Sequence, residues 1–127
     1  MEESSLYEGY FHKNEISGVG RVMSKEFVYS GGFKNDQIKG YGHFEDFLYK
    51  AVGEFDKESL NGFGVLFSKG NTLIGQFKQW NLFGFGEILF SDGTWWAGEW
   101  LKEPLGLGVM TLPNGQRLIA TLNNLKN

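Results

Sequence analysis

Ten of the nineteen glycines in this 127-residue chain stand in five Gly-x-Gly pairs spaced by 22 residues: Gly18/Gly20, Gly40/Gly42, Gly62/Gly64, Gly84/Gly86 and Gly106/Gly108. Five more, Gly9, Gly31, Gly53, Gly75 and Gly98, precede each pair by 9 residues, or by 8 in the last case. Gly70, Gly93 and Gly115 follow their pairs by 6 or 7 residues, and only Gly32 stands outside the pattern. A period of about 20–50 residues marks a repeat protein, in which each unit buries its apolar face by stacking on its neighbours.

Each period reads as two short strands. The first is centred on the lone glycine, as in Tyr7-Glu8-Gly9-Tyr10-Phe11, Tyr29-Ser30-Gly31-Gly32-Phe33 or Trp96-Ala97-Gly98-Glu99-Trp100. Period-2 alternation puts its two large groups on one face with a gap between them. The second strand runs through the Gly-x-Gly. Its glycines share a face with Val22, Phe44, Leu66, Ile88 or Met110, and Val19, Tyr41, Phe63, Phe85 or Leu107 takes the other face. Glycine weakens a strand and marks close approach of another group, so aromatic rings from neighbouring strands are expected to cover the bare backbone. An Ala or Val at Gly31 or Gly53 is then expected to collide with a ring.

Asp92-Gly93 and Asn114-Gly115 predict hairpin turns, and Gly70-Asn71 a weaker one. The reading is all-β: an elongated, single-layer antiparallel solenoid of about five hairpins over 7–28, 29–50, 51–72, 73–95 and 96–117, with an orphan strand at 118–122. It amounts to roughly eleven strands at about 4.8 Å each, and to an open meander rather than a barrel.

Composition removes several functions. Twelve basic residues are interleaved with fifteen acidic ones for a net charge of −3, so no basic patch points to nucleic acid. Without cysteine there is neither a disulfide framework nor a thiolate metal site. The acidic start Met1-Glu2-Glu3 is unlike a signal peptide, and a soluble, cytoplasmic single domain is expected. His12 and His43 fall at different phases of the period, so no metal, cofactor or catalysis is expected.

Tyr7-Glu8-Gly9, the nine-residue step to Gly-x-Gly, and Phe90-Ser91-Asp92-Gly93-Thr94 leading to Trp96-Ala97-Gly98-Glu99-Trp100 resemble the MORN repeat (membrane occupation and recognition nexus). The resemblance covers residues 7 to 122. It implies a curved antiparallel sheet with an aromatic-lined groove, acting as a non-catalytic scaffold or adaptor in a cytoskeletal or ciliary assembly. Phosphoinositide or membrane association is a further property the resemblance implies. The chain departs from the pattern at Ala51, where Tyr is expected. It departs again at the apolar, glycine-free turn Glu45 to Lys50, and at Lys78-Gln79-Trp80-Asn81-Leu82-Phe83, where Lys and Gly are usual.

Three sets of residues are candidates for binding. Tyr7, Phe11, Tyr29, Phe33, Phe55, Phe77, Trp96 and Trp100 form a row that either grips a peptide or helix or only covers glycines. Ile16, Ile38, Leu60 and Leu82 form a ladder that anchors each loop on the next. In the fourth hairpin Trp80 and Phe83 join Leu82, and together they predict an exposed partner anchor. At the sheet edge, Leu118, Ile119 and Leu122 predict strand pairing with a partner or with a second copy, unless the tail at 123–127 covers them. The expected partner is a protein in a multi-subunit assembly. A membrane lipid, or a small ligand or glycan stacked on the aromatics, is the alternative.

Overall fold

The computed structural model describes residues 5–122 as one antiparallel sheet of eleven strands in sequence order. The strands are β1 (Leu6–His12), β2 (Glu15–Met23), β3 (Phe27–Lys34), β4 (Gln37–Asp46), β5 (Tyr49–Asp56), β6 (Ser59–Ser68), β7 (Asn71–Lys78), β8 (Asn81–Leu89), β9 (Trp95–Leu101), β10 (Glu103–Thr111) and β11 (Arg117–Thr121). Among the described residues β1 and β11 each have one neighbour, so the sheet is open.

The glycines meet across strands. Gly9 pairs with Gly20, Gly20 with Gly31, Gly31 with Gly42, and the seam continues through Gly53, Gly64, Gly75 and Gly86 to Gly98. The first glycine of each Gly-x-Gly has a positive φ: 83° at Gly18, 104° at Gly40, 126° at Gly62, 77° at Gly84 and 65° at Gly106. In the β3–β4 pair, register slips between Gly31/Gly42 and Phe33/Ile38, leaving extra residues on β4. This is a bulge of the kind that needs a left-handed first residue, and it bends the strand.

The seam is covered on one face, hereafter the core face, by two devices. In β1, β3 and β9 an aromatic ring two residues before the glycine folds over it. A methyl at Gly20 would meet Tyr7 Cε1 at 2.6 Å, one at Gly42 would meet Tyr29 Cε1 at 2.5 Å, and one at Gly98 would meet Trp96 Cζ2 at 2.9 Å. Where the sequence has Ala51 and Leu73 instead, the ladder leucines take over. Leu60 Cδ1 lies 2.9 Å from a methyl at Gly64, and Leu82 Cδ2 lies 3.0 Å from one at Gly75. This corrects the expectation for Gly53, where a side chain would strike Leu60 and the β6 backbone rather than a ring.

The ladder also ties successive hairpins together. The Ile16, Leu60 and Leu82 carbonyls accept bonds from the Asp36, Trp80 and Lys102 amides at 3.0, 3.0 and 2.9 Å. Asp36 returns the bond, its Oδ1 accepting from the Ile16 amide at 2.7 Å.

Tyr29, Phe33, Phe55, Phe77, Trp96 and Trp100 are buried with Leu60, Leu66, Leu82 and Met110. The rings pack edge to face: Tyr7 on Phe11 and Phe33, Tyr29 on Phe33 and Phe55, and Trp96 on Trp100 at 5.7 Å. Burial pushes the Tyr29 phenol up to about 12, and its hydroxyl donates to the Gly32 carbonyl at 3.1 Å.

Asp92-Gly93 and Asn114-Gly115 lie in the β8–β9 and β10–β11 connections, where Asp92 and Asn114 Oδ1 accept from Thr94 and Gln116 amides. The β6–β7 turn is formed by Lys69 and Gly70, at φ 53° and 84°, and Asn71 already belongs to β7. The turn predicted at Gly70-Asn71 is therefore displaced by one residue.

Four of the glycine-free turns share one geometry. Lys13-Asn14, Asn35-Asp36, Lys57-Glu58 and Gln79-Trp80 each place two successive residues at positive φ, as two-residue hairpins require. Lys57 and Glu58 have no side-chain device to favour that region, where a non-glycine residue costs about 1–2 kcal/mol. Both are exposed. Replacing them by Asn-Gly is expected to raise stability by about 1 kcal/mol. Chemical denaturation of Lys57→Asn/Glu58→Gly tests this, and an unchanged or lower midpoint would contradict it.

Candidate functional site

The face opposite the core carries a row of large apolar groups that no other described residue covers. Val19, Tyr41, Phe63, Phe85 and Leu107, each between two glycines, are 59–70% exposed. They sit on β2, β4, β6, β8 and β10, so successive members are two strands, or about 10 Å, apart. Their cross-strand partners are small or polar: Gly32 for Val19, Glu54 for Tyr41, Gln76 for Phe63, Glu99 for Phe85 and Thr121 for Leu107. The glycine seam runs beside the row and offers no side chain for the rings to lie against. They therefore stand off the sheet.

Between Phe63 and Phe85 the seam forms the floor of an open depression of about 820 Å³. Gly64, Gly75, Val65 and Ile74 line its base, with Gln76, Phe83 and Glu87 around it. This volume falls within the range of about 300–1,000 Å³ typical of binding clefts.

The charges here are mostly acidic. Glu54 Oε1 accepts from the Phe63 amide at 2.9 Å and so satisfies a backbone donor freed by the bulge. The Glu54 charge beside Tyr41, and its hydrogen bond to that phenol, raise the phenol above its ordinary value. Glu87 Oε1 accepts from Trp95 Nε1 at 2.8 Å. Lys39 is paired with Asp56 at 3.2 Å, and Lys78 Nζ lies 5.7 Å from the centre of the Phe83 ring.

The residues singled out by sequence are dispersed by the fold. Tyr29, Phe33, Phe55, Phe77, Trp96 and Trp100 fill the core and expose almost nothing, which corrects their reading as an open groove. Phe11, on the edge strand β1, is 65% exposed, and Tyr7 is half-buried between Phe11 and Phe33. Trp80, Leu82 and Phe83 do not form one exposed patch. Leu82 is buried over Gly75 and Gly86, and Trp80 folds back against Phe44 and Phe55 at 5.3 and 5.8 Å. Only Phe83 reaches the open face, where it lines the depression.

At the edge, Leu118 and Ile119 are exposed on opposite faces of β11. Leu122 lies beyond that strand and is buried, so it offers nothing to strand pairing. The tail at 123–127 lies outside the described residues. His12 and His43 are exposed on β1 and β4.

Alternation puts the residue between the glycines on the face opposite them, but nothing in the sequence marks that face as the exposed one. No protein-family model matches the chain, and no curated protein matches it.

Proposed function

We propose that the chain is a MORN-type module of five hairpin units with a terminal strand, acting as a non-catalytic structural or adaptor subunit. It holds a segment of a protein partner along its open face. The observation that carries this reading is the row of uncovered rings at every second strand, Tyr41, Phe63 and Phe85, with Glu54 between the first two, Gln76 between the second and third, and Glu99 beyond the third. Large exposed apolar patches mark interaction sites, and aromatic residues dominate binding hot spots.

The row also describes the partner. Apolar side chains about 10 Å apart would seat between the rings, and Lys or Arg between them would meet Glu54 and Glu99. Such a segment is cationic and amphipathic. The MORN resemblance supplies the cytoskeletal or ciliary setting of the proposal.

The test is purification of the tagged chain from its native cells at moderate salt, beside Phe63→Ser/Phe85→Ser. Both rings are exposed, so the variant is expected to keep its melting temperature within a few degrees. A stoichiometric complex held by the parent and lost by the variant is expected, with affinity falling by at least tenfold. A complex retained by the variant would remove the open face from the interaction. Recovery with anionic lipid alone would replace the scaffold reading by the membrane one.

A further inference from the structure

The three departures from the MORN pattern, at Ala51, at Glu45 to Lys50 and at Lys78 to Phe83, lie at or beside one cavity. Its volume is about 490 Å³, and Phe44, Asp46, Tyr49, Leu66, Trp80 and Asn81 line it. It opens on the core face, away from the aromatic row described above.

Ala51 makes room. Its cross-strand partners are Phe44 and Leu66, both in the cavity wall, and the equivalent positions elsewhere hold Tyr7, Tyr29, Leu73 and Trp96. The glycine-free turn after β4 supplies Asp46 and Tyr49. Trp80 closes the far side from the β7–β8 turn, at a φ of 73° that a bulky residue rarely adopts. Its indole stands edge-on to Phe44, with the ring centres 5.3 Å apart and the planes 63° apart.

The lining combines three aromatic rings with one carboxylate and no cation. Rings set around a space attract a cation through their quadrupoles, most strongly when it is desolvated. A primary ammonium carries three N–H donors that need acceptors. Here Asp46 Oδ1 already accepts the Leu48 and Tyr49 amides, at 2.8 and 2.7 Å. A methylated ammonium keeps the charge and sheds that requirement. We propose that this cavity is an aromatic cage that binds a quaternary methylammonium group, with Asp46 as its counter-charge.

The experiment is an NMR titration of the full chain, following the Trp80 indole and Leu66 methyl signals. The probes are choline, free Nε-trimethyllysine and 3,3-dimethylbutanol, the neutral carbon isostere of choline. Choline or trimethyllysine is expected to shift both signals, with the isostere at least tenfold weaker. Tighter binding of trimethyllysine assigns the site to a methylated protein side chain, and tighter binding of choline assigns it to a choline compound. Asp46→Asn keeps an Oδ1 acceptor for the turn, so it is expected to weaken binding several-fold with the Leu48 and Tyr49 amide signals little moved. Equal binding of choline and its isostere would overturn the proposal. So would unmoved Trp80 and Leu66 signals at tens of millimolar of both cationic probes.

Discussion

Trp96→Ala is expected to destabilise the chain by about 3–5 kcal/mol, the range for deleting a large buried aromatic. Trp96 is fully buried, covers Gly98 and Gly108, and packs edge to face on Trp100. Its Nε1 donates to the Ala120 carbonyl at 2.9 Å. That bond spans β10 and ties β9 to the edge strand β11, so its loss frees the edge as well as hollowing the core. Total stability for a domain of this kind is about 5–15 kcal/mol. The melting temperature should fall on the order of 10–20 °C.

Two milder variants separate packing from the hydrogen bond. Trp96→Phe keeps much of the ring but leaves the Ala120 carbonyl without this donor. Trp100→Phe removes an Nε1 that is buried without an acceptor among the described residues, so no bond is lost. Trp96→Phe is expected to cost more. A Trp96→Ala variant within 1 kcal/mol of the parent would show that β11 and the Gly98–Gly108 contact do not depend on the indole.

The contrast between Trp96 and Phe85 shows where sequence reasoning reached its end. The glycine spacing implied antiparallel strands, an open sheet and covered glycines, and all three are present, although strands such as β4 and β6 run to 10 residues rather than the short segments expected. It did not rank the two faces. First strands offer Tyr29 and Phe33, second strands offer Tyr41 and Phe63, and alternation is apolar on both sides. The choice is made by the ladder. Leu60 and Leu82 turn inward over Gly64 and Gly86 and close one face, leaving the rings on the other uncovered. The grouping of Trp80, Leu82 and Phe83 failed for a related reason. Neighbours in a strand alternate faces, and Gln79-Trp80 turns left-handed without a glycine to announce it. Trp80 therefore finds Phe44, 36 positions back in the sequence. Short-range patterns cannot reveal that contact. Its only trace was the vacancy at Ala51.

Gly42→Ala is expected to cost about 1–3 kcal/mol, as overpacking of a filled site does. The new methyl would meet the Tyr29 ring, with Cε1 and Cζ both at 2.5 Å and the hydroxyl closer still. Tyr29 has little freedom to withdraw. It is fully buried, its ring is held edge-on between Phe33 and Phe55, and its hydroxyl is bonded to Gly32. Because Gly42 has an ordinary φ, the penalty arises from space rather than from backbone conformation. Shortening the ring should therefore relieve it. Tyr29→Leu introduces the residue type that the fourth hairpin carries at this position, Leu73. Alone it should destabilise by removing the cover from Gly31 and Gly42. Combined with Gly42→Ala, the loss is expected to be at least 1 kcal/mol smaller than the sum of the two single losses, the signature of groups in direct contact. A double-mutant cycle by chemical denaturation measures the difference. Additive losses would mean that the glycine seam is not kept bare by the rings that cover it, and another cause for the glycines would have to be found.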